Sequence, residues 1–237
     1  MRQIVVRTMT AVAVTAASAA LTGCGGDTAT GTQPPPVVVT TADGASIVGP
    51  TSEAPDPGTV VMIIRHGEKP DGSLPGVDAQ GNTDDSSLTE VGWERAHGLV
   101  ELFAAPQGPV RPGLARPTTI YAAGATDDAE GQRTRETVAP LADALGIPVN
   151  TDFGRGDEKK LVKEVVGLPG QTLISWQHGG IPDIVDAFPH VSPHPPTDWP
   201  DDRFDVVWTL TRTASGWHFA QLPERVLPQD QTGTIAG

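Results

Sequence analysis

A chain of 237 residues with 38% hydrophobic side chains is long enough for one sizeable core or two small ones. Its 16 basic and 29 acidic residues give a formal net charge of -13, a balance that repels nucleic acid and anionic lipid headgroups. One cysteine, Cys24, excludes an intramolecular disulfide, and many of the 27 glycines and 23 prolines gather near the N-terminus, where they read as a linker.

The first predicted element is a targeting segment. Arg2 and Arg7 precede an apolar, Ala/Val-rich run over 9–21 that is too short and too small-sided for a comfortable membrane span. The run ends in Leu21-Thr22-Gly23-Cys24, so the only cysteine falls at its end. This resembles a bacterial lipoprotein signal. The resemblance implies removal of residues 1–23, acylation of Cys24, and an exported, extracytoplasmic protein that meets the cell membrane through its lipid anchor alone. Residues 24–57 lack a helical period and contain Pro34-Pro35-Pro36, which favours a stiff, extended tether.

A domain is predicted over 58–228, with 229–237 as a C-terminal tail. It opens with an unbroken apolar run over 59–64, the pattern of a strand buried on both faces. A polar loop leads to a helix from about 88 to 103. A strand over 118–122 and a helix over 129–145 follow, the helix stopped by Gly146. Next come a short extended piece over 147–151, a helix over 159–166, a buried strand over 172–175 and a helix over 181–188. The last element is a period-2 hairpin over 204–212 and 217–222, turning at Ala214-Ser215-Gly216. Strands alternating with helices predict a three-layer α/β/α sandwich with a mostly parallel central sheet.

Two histidines stand just past strand ends, each followed by glycine: Arg65-His66-Gly67 and His178-Gly179-Gly180. Ligands of open α/β sheets bind at the carboxyl ends of strands, so both face one crevice. Arg133, early in the helix after the strand over 118–122, joins them. Two arginines and two histidines form an anion site, and guanidinium groups suit phosphoryl oxygens. Arg135 is read as a solvated helix charge. His190 and His194 lie four apart, but the surrounding prolines forbid the helix that a shared zinc site needs, so they are read as a loop at the pocket rim.

Arg65-His66-Gly67-Glu68, Leu88-Thr89-Glu90-Val91-Gly92, Arg133-Thr134-Arg135-Glu136-Thr137 and Leu173-Ile174-Ser175-Trp176-Gln177-His178-Gly179 occur in that order. Together they resemble the histidine phosphatase superfamily, whose fold is called phosphoglycerate mutase-like. The resemblance implies a phosphomonoester hydrolase that needs no metal or cofactor and acts on a phosphorylated small molecule or phosphopeptide. His66 becomes the phosphorylated nucleophile, and Arg65, Arg133 and His178 become phosphate ligands. It also implies an acid that protonates the leaving oxygen. Asp157 is preferred, with Glu158 and Glu68 as alternatives; Asp157 and Glu158 also suit a helix N-terminus. Glu68-Lys69-Pro70 departs from the usual continuation of the first motif, which favours hydrolysis over a mutase-type phosphotransferase. A lipoprotein that only binds a phosphorylated ligand is the remaining alternative.

Overall fold

The computed structural model describes residues 58–105, 108–126 and 131–236. The signal segment, Cys24 and the tether lie outside the described residues. No described helix is long and apolar enough to cross a membrane.

In chain order the elements are β1 (Val60–Arg65), α1 (Glu90–Phe103), β2 (Thr119–Ala122), α2 (Gln132–Leu145), β3 (Val149–Asn150), α3 (Glu158–Val165), β4 (Gln171–Trp176), a 3-10 turn (His178–Gly180), α4 (Ile181–Asp186), β5 (Val191–Ser192), β6 (Val206–Thr213) and β7 (Gly216–Pro223). The strands form one sheet in the order β3-β2-β4-β1-β6-β7-β5. β1, β2, β3 and β4 pair in parallel, whereas β6 pairs antiparallel with both β1 and β7.

All six residues of β1 are buried, as its apolar run requires. Alternation then divides them between two cores. Val61 and Ile63 pack with Leu161 and Val165 of α3 and Ile184 of α4. Val60, Met62 and Ile64 pack with Leu99 and Phe103 of α1 and Val138 and Leu141 of α2. One pair of helices therefore covers each face, giving the three-layer α/β/α sandwich with a mostly parallel sheet that the alternation predicts.

Gly146 ends α2 with φ of 66°, a left-handed conformation that glycine adopts without a Cβ clash. β5, for which the sequence carries no signal, is two residues long, lies among prolines and, among the described residues, pairs with β7 alone. The stretch set apart as a tail also packs on the domain. Asp230 pairs with Arg95, and Ile235 is buried in the core beneath β6 and β7.

Candidate active site

β1 delivers His66. The His66 backbone N–H donates to the Trp176 carbonyl at 3.0 Å, so the β1–β4 ladder runs one residue past the strand and sets His66 beside the end of β4. The ring is 6% exposed. Its Nδ1–H donates to the Gly67 carbonyl at 2.8 Å, which assigns the proton to Nδ1 and leaves the Nε2 lone pair open. Burial, with smaller contributions from Arg65, Arg133 and Lys69, pushes the imidazole pKa down to about 3, against the bond from Gly67. The ring is therefore neutral at physiological pH, the state a nitrogen nucleophile needs.

The second and third motifs hold this loop in place. Thr89 caps α1 by accepting from the Gly92 N–H at 3.2 Å, and its own N–H donates to the Glu68 carbonyl at 2.9 Å. Gly92 is required by close approach, because a Cβ there would lie 2.6 Å from the Glu68 carbonyl oxygen. Thr137 of α2 accepts from the Gly67 N–H at 2.8 Å and donates to the Arg133 carbonyl at 2.7 Å. Thr137 and Thr89 thus fix the backbone of Gly67 and Glu68, the two residues that follow His66.

Arg65 is fully buried. Its Nη1 donates to the carbonyls of Pro200, Asp201 and Arg203 at 3.2, 2.6 and 3.1 Å, and its guanidinium carbon stands 3.8 Å from the Phe204 ring centroid. Nε and Nη2 are buried and have no partner among the described residues. Burial lowers its pKa to about 10, with Asp201, Glu68 and Asp202 opposing, so the group remains cationic at neutral pH. A charged guanidinium with one filled and one open edge offers the two parallel donors that bind a phosphoryl group.

Arg133 is oriented by two loop carbonyls, Ser87 at 3.2 Å through Nε and Asp85 at 2.7 Å through Nη2. Glu136, one α2 turn further on, clamps the same loop by accepting from Ser87 Oγ and the Leu88 N–H at 2.9 and 3.0 Å. Arg135 is exposed, as expected of a solvated charge.

His178 opens the turn after β4. Its Nε2 meets Asp201 Oδ1 at 2.8 Å, and its Nδ1 is buried without a partner among the described residues. Burial and then Arg65 hold its pKa below the ordinary value, while Asp201 acts the other way. An anion bound beside the ring would favour an imidazolium with Nε2–H on Asp201 and Nδ1–H free to donate.

The acids expected to supply a proton are occupied elsewhere. Asp157 precedes α3 and pairs with Lys160 at 2.6 Å. That bond holds its carboxyl below the usual range, which suits a permanent carboxylate rather than an acid. No hydrogen bond or ion pair among the described residues links it to Arg65, His66, Arg133 or His178. Glu158 accepts from Trp176 Nε1 and the Gly156 N–H at 3.1 and 3.2 Å. Glu68 takes Arg95 at 2.7 Å. The carboxylate that does touch a site histidine is Asp201. No local pattern marks it, because it reaches His178 from a proline-rich loop between β5 and β6. Among the described residues, no group of three or more His, Cys, Asp or Glu is placed to hold a metal ion.

No family model and no curated protein matches the chain. Solved structures do. The chain is similar to the protein histidine phosphatase SixA complexed with tungstate, at 15% identity and a TM-score of 0.46, over 70% of this chain and 97% of that one. It is similar to a mycobacterial glucosyl-3-phosphoglycerate phosphatase complexed with VO3, at 14% identity and a TM-score of 0.43, over 68% and 96% of the two chains. Bacillus stearothermophilus YhfR matches at 17% identity and a TM-score of 0.44, over 68% and 95%.

Proposed function

We propose that this domain is a histidine phosphatase: it hydrolyses phosphomonoesters through a phosphohistidine on His66, with no metal ion. What supports the reading is a pairing. A neutral, buried imidazole with its lone pair on Nε2 lies beside a buried arginine whose Nε–Nη2 edge has no protein partner. A buried cation with unfilled donors is costly unless a ligand fills them.

In the first step Nε2 of His66 attacks phosphorus, the N–P bond forms and the P–O bond to the alcohol breaks. Arg65, Arg133 and His178 donate to the non-bridging oxygens, where charge concentrates in the transition state. The alkoxide takes a proton from a group at the mouth of the site. Asp201, exposed and already on His178, is the carboxylate best placed to relay to the alkoxide the Nε2 proton of the His178 imidazolium, in place of Asp157; His178 is left neutral with Nδ1–H still donating. In the second step Asp201 accepts a proton from water as the water attacks phosphorus and returns it to Nε2 of His178. The N–P bond breaks, and inorganic phosphate leaves with His66 restored.

The protein is expected to hydrolyse an aryl phosphate in excess chelator at the rate seen without it. Activity lost on chelation and restored by zinc or magnesium would contradict the metal-free mechanism.

A further inference from the structure

A cavity of about 400 Å³ opens beside the phosphoryl cradle. Its apolar wall is Leu74, Val91 and Phe204. Phe204 joins the two spaces: it lies against the Arg65 guanidinium, and its ring centroid is 6.2 Å from that of His66. Leu74, 50% exposed, is the one large hydrophobic side chain left exposed among the described residues. It is held there by Asp71, whose Oδ1 accepts from the N–H groups of Ser73 and Leu74 at 2.9 and 3.3 Å and from Ser73 Oγ at 2.5 Å.

The charges on the lining are unequal. Lys69 is the only cation. Against it stand Asp71 and Asp202, together with Asp201 and Glu68, which are already on His178 and Arg95. Asp202 is exposed and makes no ion pair among the described residues.

We propose that this cavity receives the alcohol portion of the substrate, and that the substrate is a phosphomonoester of an apolar alkyl or aryl alcohol bearing no second negative charge. The proposal rests on the phosphatase reading. An apolar body removes Leu74, Val91 and Phe204 from water, which is favourable in proportion to the area covered. A second carboxylate or phosphate on the same body meets Asp71, Asp201 and Asp202 with Lys69 alone to offset them. Like charges brought together in a partly enclosed site are strongly disfavoured.

The test is calorimetric binding to the full-length protein of n-alkylphosphonates of increasing chain length and of their ω-carboxy counterparts. Phosphonates are not hydrolysed, so the reading does not depend on turnover. Affinity is expected to rise roughly fourfold per added CH₂ until the cavity is full. The ω-carboxy compounds should bind at least about tenfold more weakly. Asp202→Lys should narrow that gap, and Leu74→Ser should flatten the chain-length series. Both substitutions fall on exposed positions. Affinity independent of chain length, or equal affinity for the carboxylates, would overturn the proposal. Alkyl phosphates assayed in parallel separate the two readings. Hydrolysis without either binding trend removes the cavity's role and keeps the phosphatase. The trends without hydrolysis remove the phosphatase and, with it, the assignment of the cavity to a leaving group.

Discussion

Two buried arginines, Arg65 and Arg95, have opposite surroundings. Arg95 of α1 is 2% exposed and meets three carboxylates, Glu68 at 2.7 Å, Glu224 at 2.8 Å and Asp230 at 2.8 Å. Its Nε, Nη1 and Nη2 all donate to these carboxylates. The cluster holds more negative than positive charge, and burial pushes the Glu224 pKa up to about 8 against the pull of Arg95. Among the described residues, Arg65 meets no carboxylate oxygen and has two nitrogens without a partner. The difference separates structure from chemistry. A buried guanidinium filled by its own protein ties segments together, here the His66 loop, α1 and the C-terminal stretch. One left half-filled is shaped for something that arrives from outside.

The largest effect should come from emptying the filled site. Arg95→Met leaves three carboxyl groups in the interior without their cation and should cost about 3–5 kcal/mol of stability. Urea unfolding measures this, and a loss under about 1 kcal/mol would mean that the cluster does not tie the fold together. Arg65→Lys should do the reverse. It keeps the charge but removes the fork, so turnover of an aryl phosphate should fall by roughly 10² to 10³ while stability falls less than in Arg95→Met. Equal loss of stability in the two variants would erase the comparison.

A third effect, expressed only below pH 6.5, concerns His66. Its folded pKa of about 3 lies below the ordinary 6.5, so the unfolded chain binds the extra proton first. Stability is therefore unaffected by this group above pH 6.5, falls as pH drops from 6.5 towards 3, and does so by up to about 1.4 kcal/mol per pH unit. His66→Gln should remove this share. Urea unfolding of parent and variant across that window gives the difference directly, and parallel curves would show that the buried ring does not resist protonation.

Much of the fold was legible because its signals are local. The apolar run of β1 and the Gly146 stop each act within a few residues. The strand-end positions of His66 and His178 followed from the same signals, and so did the helical position of Arg133. What escaped depends on contacts between distant segments. Asp201 reaches His178 from a loop with no periodic pattern, and Glu68 is drawn away from the nucleophile by Arg95 on α1. The role expected of Asp157 could have been doubted from the sequence: Lys160 stands three residues on, the spacing at which helical side chains meet. β5 gave no signal, since two residues between prolines cannot show alternation.

The central claim is that His66, and not His178, takes the phosphoryl group. Mass spectrometry of the protein, quenched rapidly after mixing with an aryl phosphate and kept alkaline to preserve phosphohistidine, addresses it directly. The account predicts one added phosphoryl group, located on His66 and absent from a His66→Ala variant that has lost nearly all turnover. Phosphate on His178, or turnover surviving in the His66→Ala protein, would contradict it.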